Sequence, residues 1–356
     1  MIKTDVIIIG VELEYSRTKV LFNGANFSYE KVPLDRKGYI KSQIAVTTKL
    51  IKALFKYKCK HIYISSMNQN YSIPIIILSR LCRKKVISDL LISEYDTLVN
   101  DRKLFKKHSL TAYKAYFNDW FCVKFANYLI CDTELHKEYF LKKYSGRENK
   151  FKVIPVGAEE VFKPLLPINE QCRNEFCVLF YGGFSPLHGI ETILKAASLL
   201  LDYKGIYFKL IGNGQTKSEM VKLAEELGLN NVHFSGNIPY DELPETIHQC
   251  DVGLGIFGLS EKADRVIPNK VYQIAACAKP IVTLGTAGIR LLFKDKENII
   301  LIHGDLNHSE QLAEAILELY HNPEYMNRLG EAAYQIIQST SSQKIVQSKF
   351  KECLNH

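Results

Sequence analysis

The chain of 356 residues has no run of about eighteen or more apolar residues, the length a helix needs to cross a bilayer, so no spanning segment is expected. No two of its nine cysteines sit at CxxC spacing, and their number is odd. That argues against a zinc knuckle or a disulfide framework, and the cysteines read as reduced thiols. No HxxH, HExxH or clustered-carboxylate pattern offers a metal site, and the glycine turn from Tyr181 to Gly189 is neither a GxGxxG nor a P-loop. Low-complexity tracts and short-period repeats are also missing. The opening MIKTDVIIIG has a short apolar run without the length or cleavage site of an export signal, so it reads as a first β-strand and the chain as cytoplasmic.

What is present is globular in composition. An apolar fraction of 47% and a charged fraction of 24% can fill a large core without staples, and the length suits two domains. The net charge of +8 is unevenly spread: residues 1–167 hold 29 Lys+Arg against 16 Asp+Glu, a net of +13, and the rest hold 17 against 22, a net of −5. A basic first half implies an anionic partner, either a lipid leaflet, a lipid-phosphate acceptor or nucleic acid, or else a merely lysine-rich surface. No aromatic stacking platform interleaved with basic residues supports nucleic acid. The runs Arg83-Lys84-Lys85 and Lys103 to Lys107, with Tyr113, Tyr116, Phe117, Trp120, Phe121 and Phe125 nearby, suit an anionic membrane surface and a peripheral location on the inner face of the cell membrane. The same aromatic stripe at helical spacing is also what a core-facing helix shows.

Short β-rich runs alternate with amphipathic helices, which predicts α/β architecture. DVIIIG, HIYIS, KVISD, YLICD and KVIP read as strands of the first half, with helices over YIKSQIAVTTKLIKALFKY, IPIIILSRLC and LTAYKAYFNDWFCVKFA. RTKVLF to FSYEKV reads as a small hairpin or added strands. Pro164 and Pro167 end the first half at residue 165, and a second alternation spans 172–340 before a closing helix over 341–356.

Two groups of residues carry candidate chemistry. Strand FCVLFY runs into Gly182-Gly183, followed by His188-Gly189 and a helix; strand IYFKLI runs into Gly212-Asn213-Gly214. Glycine turns between a strand and a helix let backbone N–H groups approach a phosphate, helped by the helix dipole, and two on neighbouring strands suggest a nucleotide crevice. The second group is the loop and helix start from Glu261 to Gln273. Lys262, Arg265 and Lys270 crowd it, with Pro268 and Asn269 at the helix opening, although the dipole there disfavours cations. A bound diphosphate explains that placement, as does a solvated basic loop. Tyr240 after GNIP is placed to border the base. Asp89, Glu94 and Asp96 in SDLLISEYD are candidates for the acceptor side, or else caps and solvated carboxylates.

Residues 150–320 resemble the nucleotide-sugar-binding domain of glycosyltransferase family 4 through KVIPVGAEEVFKP, FYGGFSPLHGIETILKAASLL, FKLIGNGQ, NVHFSGNIPYDELPETIHQCDVGLGIF and VIPNKVYQIAACAKPIVT, in that order. The resemblance implies a GT-B fold, two facing Rossmann-like domains with an inter-domain cleft. The first domain would bind the acceptor, the second the donor, and the last helix would pack back on the first. It further implies a retaining, metal-independent glycosyltransferase with no cofactor beyond a UDP- or GDP-linked sugar co-substrate. The acceptor would be a glycan or lipid-linked glycan of surface polysaccharide biosynthesis such as capsule or O-antigen. Lys262, Arg265 and Lys270, with the Gly183 amide, would stabilise the leaving diphosphate. A pair of family glutamates aligns with Arg265 and Gln273, so Gln273 would meet the ribose as an amide. The family's phosphate-loop lysine aligns with His188. These departures keep a non-catalytic nucleotide- or glycan-binding homologue open, and the fold also admits a nucleotide-sugar 2-epimerase.

Overall fold

The alternating pattern builds two parallel sheets in the computed structural model, which describes residues 1–35, 38–165, 175–304 and 307–355. Contacts divide the chain into one unit of Met1–Val156 with Gln343–His356 and another of Gly157–Ser342, so the division falls at Val156, ahead of the expected Pro164. Pro167 and Cys172, at the expected linker and the start of the second domain, lie outside the described residues.

The first unit runs β1 (Ile2–Lys3), β2 (Val6–Gly10), α1 (Ser16–Phe22), β3 (Tyr29–Pro33), α2 (Tyr39–Lys56), β4 (Tyr57–Lys58), β5 (His61–Ile64), α3 (Ser72–Leu81), β6 (Lys85–Asp89), α4 (Leu110–Phe125), β7 (Tyr128–Cys131), α5 (Glu134–Tyr144) and β8 (Phe151–Val153). The second runs β9 (Phe176–Tyr181), α6 (Ile190–Leu199), β10 (Ile206–Ile211), α7 (Lys217–Glu226), β11 (Val232–Ser235), α8 (Leu243–His248), β12 (Val252–Leu254), α9 (Glu261–Arg265), α10 (Asn269–Ala276), β13 (Ile281–Leu284), α11 (Ala287–Arg290), β14 (Ile300–Ile302), α12 (His308–His321) and α13 (Pro323–Thr340). The last helix, α14 (Gln343–Leu354), belongs to the first unit.

Each main sheet is parallel throughout, in the order β3-β2-β5-β6-β7-β8 in the first unit and β11-β10-β9-β12-β13-β14 in the second. Parallel strands covered on both faces need continuous apolar sequence, and VIIIG and FCVLFY are buried at every position. Side chains alternate between faces. Ile7, Ile9, Ile62 and Val86 join Val46 and Leu50 of α2, Ile75 of α3 and Val123 of α4, while Val6, Ile8, Tyr63 and Ile87 join α1 and α14 on the other face. Phe350 of α14 sits edge-on to Phe22 at 5.2 Å and to Tyr63 at 5.5 Å. Gln343 and Gln347 donate to the Asn23 carbonyl, fastening α14 to the end of α1.

RTKVLF is not a strand of a hairpin but the core of α1, and FSYEKV supplies β3, which pairs with β2 in parallel. The crossover between two parallel neighbours must pass over the sheet face, and a helix burying Val20, Leu21 and Phe22 does so. Of the aromatic stripe on α4, Tyr116, Trp120, Phe121 and Phe125 pack against the core, while Tyr113 and Phe117 are exposed. The eight described cysteines are free, and among the described residues no helix is long and apolar enough to cross a membrane.

Candidate functional site

In the second unit the sheet order reverses direction between β9 and β12, and ligands of doubly wound sheets bind beyond the carboxyl ends of strands at such a switch. Gly182 and Gly183 follow β9 at that place. Their loop is pinned to the one after β10: the Gly182 N–H donates to Ile211 O at 3.0 Å and the Phe184 N–H to Asn213 O at 2.9 Å. The two loops touch backbone to backbone, for a Cβ at Gly212 would lie 1.9 Å from the Gly182 oxygen, and Gly212 has a φ of 136°. At Gly183 an added Cβ would meet nothing closer than 3.9 Å, so this side of the loop is open. Gly189, at φ 60°, opens α6, and Gly214 lets its chain pass against Phe184.

Lys270 enters this loop from α10, whose N-cap is Pro268 and first residue Asn269. A Cβ on Gly182 would be 3.2 Å from Lys270 Nζ and 3.7 Å from His188 Nε2, so the ammonium and the imidazole border the same glycine. The His188 ring is oriented by a 3.0 Å contact between Nδ1 and Ser185 Oγ. Lys270 Nζ lies 3.7 Å from the centre of the Phe180 ring and, though buried, makes no hydrogen bond. Burial holds its pKa well below the ordinary lysine value. A ring face compensates a desolvated ammonium only in part, so this cation is set for an anion at Gly182.

The other two expected cations belong to a separate short helix. Residues 261–265 form α9 rather than a loop, capped by Ser260 Oγ accepting from Ala263 N at 3.1 Å. Arg265 Nη1 lies 3.5 Å from Glu261 Oε2 along that helix, and Lys262 is buried within it.

Gln273, one turn after Lys270, is engaged inside the protein: its Oε1 accepts from Tyr181 Oη at 2.9 Å and its Nε2 donates to Tyr240 Oη at 3.0 Å. Tyr240 in turn donates to Glu159 Oε1 at 2.5 Å. Both ends of the Gln273 amide are thus engaged within the protein, and Tyr240 links it to the carboxylate of Glu159. The sequence offered no signal for Glu159, because the Tyr240 that its side chain meets is 81 residues away.

The first unit has its own switch between β2 and β5. A cavity of about 450 Å³ opens there, lined among others by Glu12, Asn68, Gln69, Tyr71, Glu94 and Thr97. Asn68 holds its rim, accepting from Val11 N at 3.0 Å and donating to Ser66 O at 2.8 Å, while Met67 beside it takes a φ of 65°, a strained value for a side chain of this kind. Glu94 accepts from Asn118 Nδ2 at 3.0 Å; burial pushes its carboxyl up to about 7, against that bond, with Asp119 adding and Lys114 opposing. Of the other acceptor-side candidates, Asp96 is buried and accepts from Asn100 Nδ2 at 2.7 Å. Asp89 ends β6 on the face covered by α1, where its Oδ2 meets Arg17 Nε at 2.9 Å with both side chains fully buried. Asp89 is therefore a structural ion-pair partner, placed by strand alternation on the face opposite the helices α2 to α4.

Residues 167–336 match the family model described as Glycosyl transferases group 1. The chain is 28% identical over 208 residues to the protein named "Probable glycosyltransferase WbjE" of Pseudomonas aeruginosa, covering 57% of this chain and 49% of that one. It is 28% identical over 198 residues to O-antigen chain mannosyltransferase C of Escherichia coli, covering 54% and 50%. The chain thus spans about half the length of these curated relatives. Among solved structures, Anabaena HepE in complex with UDP-glucose superposes with a TM-score of 0.75 at 18% identity over 99% of both chains. Sucrose-phosphate synthase from Thermosynechococcus elongatus gives 0.77 at 14% identity over 99% of this chain and 98% of that one. The fold is GT-B, with two Rossmann-like domains.

Proposed function

We propose that the chain is a glycosyltransferase that moves a sugar from a nucleotide diphosphate donor to a glycan or lipid-linked acceptor in surface polysaccharide biosynthesis, with retention at the transferred carbon. The observation that carries the reading is the buried, unbonded Lys270 ammonium aimed at Gly182, at the switch point of the second sheet. The donor diphosphate takes the Gly182–Gly183 loop, with its charge met by Lys270, the loop amides and His188. As the bond to the sugar breaks, charge builds on that diphosphate, and a desolvated cation stabilises it more than it stabilises the ground state. The matched relatives of glycan pathways and the UDP-glucose complex of HepE support the substrate class.

A thermal-shift screen tests the reading. UDP or GDP at about 100 times its dissociation constant is expected to stabilise the chain by roughly 2.7 kcal/mol. Transfer is expected to survive EDTA, since Lys270 supplies the positive charge. No shift with any nucleoside diphosphate sinks the proposal.

The acceptor is assigned to the cavity of the first unit, with Glu94 receiving a hydrogen bond from its hydroxyl. Ionised Glu94 accepts that bond and the neutral acid does so poorly, so the acceptor KM is expected to fall as pH rises through about 7. Glu94→Gln is expected to flatten that profile while leaving nucleotide affinity unchanged. A wild-type pH profile in the variant removes Glu94 from the acceptor side.

A further inference from the structure

Apolar packing is non-directional, so a helix buried on nearly every side is kept in register by its polar contacts. α10 is such a helix: seven of its eight residues are buried, and it carries the Lys270 ammonium that finds no hydrogen bond at Nζ. Gln273 lies one turn beyond Lys270 on the same side of that helix. Its Oε1 accepts from the hydroxyl of Tyr181, which also approaches the Lys270 carbonyl at 3.3 Å. Tyr181 is the last residue of β9 and immediately precedes Gly182. One ring therefore ties the strand that feeds the glycine loop to the helical turn that bears the cation. At the other end of the amide, Nε2 reaches Tyr240, whose ring stands edge-on to Phe162 at 6.0 Å and whose hydroxyl reaches Glu159. Tyr181, Gln273 and Glu159 are each more than nine-tenths buried.

Glu159 sets the direction of this chain of hydrogen bonds. A carboxylate only accepts, so Tyr240 gives it the hydroxyl proton and has only lone pairs left for residue 273. A donor is therefore required at that end of residue 273, while Tyr181 supplies a proton at the other end and requires an acceptor. A primary amide presents one of each. A carboxylate at position 273 would compete with Glu159 for the single proton of Tyr240, and two like charges would face each other in a buried place.

We propose that Gln273 and Glu159 are positioning residues for donor binding: the chain Tyr181–Gln273–Tyr240–Glu159 holds α10 in the register that keeps Lys270 at Gly182. This rests on reading the Gly182 loop as the diphosphate site. Gln273 then acts on the nucleotide through Lys270 and not by touching it, and the amide at position 273 is required because a carboxylate stands at position 159.

Titration calorimetry with UDP, and with GDP where UDP does not bind, tests this below the melting transition. Gln273→Glu is expected to weaken binding about tenfold or more. Glu159→Gln in the same chain is expected to recover most of that loss. The amide at position 159 then donates to Tyr240 and Tyr240 to the carboxylate at position 273, so the chain runs the other way at unchanged net charge. Tyr181→Phe, which removes one hydroxyl and no charge, is expected to weaken binding by about 2- to 10-fold and serves should Gln273→Glu fold poorly. Wild-type affinity in both Gln273→Glu and Tyr181→Phe overturns the proposal. With a lowered melting temperature, that result gives the chain a purely structural role; tighter binding by Gln273→Glu alone also overturns it, by placing residue 273 against the ribose. A double variant no better than Gln273→Glu overturns the dependence on Glu159. Failure of the donor reading is told apart, because it shows in the wild type as no binding of either nucleotide, and the positioning role falls with it.

Discussion

Lys270→Met is expected to make the free protein more stable and at the same time to weaken nucleotide diphosphate binding by about 10- to 150-fold. Both effects come from one atom. The Nζ of Lys270 is buried against Phe180 with no hydrogen bond, and methionine fills similar space with no charge to desolvate. Removing an unsatisfied buried polar group recovers about 1–3 kcal/mol, while losing a charge-assisted bond to phosphate costs about 1.5–3 kcal/mol of binding. Calorimetry and thermal melts measure the two terms separately. A second signature is protonic. The folded-state pKa lies well below the ordinary 10.5, so between the two values the unfolded chain binds the extra proton. Stability of the wild type should therefore rise with pH through that window, up to about 10.5, and this slope should be missing in the variant. Within that window the free protein holds Lys270 as the amine and an anion at Gly182 restores the ammonium, so binding there should take up a proton, seen as a dependence of the calorimetric heat on the buffer's ionisation enthalpy. Unchanged affinity and no proton uptake would remove Lys270 from the donor site.

Asp89→Ala is expected to cost about 3–5 kcal/mol of stability in the first unit, because it leaves the Arg17 guanidinium buried without its counter-charge. For a unit of this size that corresponds to a fall in Tm of about 6–20 °C. The remaining contacts do not replace the carboxylate. Arg17 Nη1 donates to Pro155 O at 2.5 Å, and Tyr63 Oη, which now donates to Asp89 Oδ2 at 2.5 Å, loses its acceptor. The pair is itself imperfectly satisfied, with Asp89 Oδ1 and Arg17 Nη2 both lacking partners. The double replacement Arg17→Met with Asp89→Leu should therefore recover most of the loss. Nucleotide affinity should be unchanged below the melting transition. A variant that melts like the wild type but fails to use acceptor would return Asp89 to the acceptor side.

The strands of both sheets and the long amphipathic helices were readable from the chain, because burial on two faces demands runs such as VIIIG and FCVLFY and burial on one face demands helical spacing. The glycine turns after β9 and β10 were equally plain, since a strand ending in glycine before a helix has few alternatives. Misreadings fell where local composition suits two states. The β-branched and aromatic residues of RTKVLF to FSYEKV suit strands, yet α1 is required by the parallel crossover from β2 to β3. Residues 261–265 form a helix too short to announce itself by period.

For the candidate site, the sequence by itself determined the residue types and their order: glycines after two strands, and cations around the start of α10. Only the tertiary structure decided which of them meet. Lys262, Arg265 and Lys270 are equivalent as letters, but the sheet order brings β9 beside β12 and turns α10 so that Lys270 reaches Gly182, while Arg265 lies along α9 toward Glu261. Glu159 joins Gln273 through Tyr240, a link between segments far apart in the chain that no spacing rule can express. Asp89 and Glu94 are five positions apart on the sequence, yet one is sealed against Arg17 and the other lines a cavity. The reason is common to all these cases. Local sequence sets backbone conformation and periodicity, which are short-range quantities. The desolvation and pairing that give a charged side chain its role depend on neighbours supplied by the whole sheet.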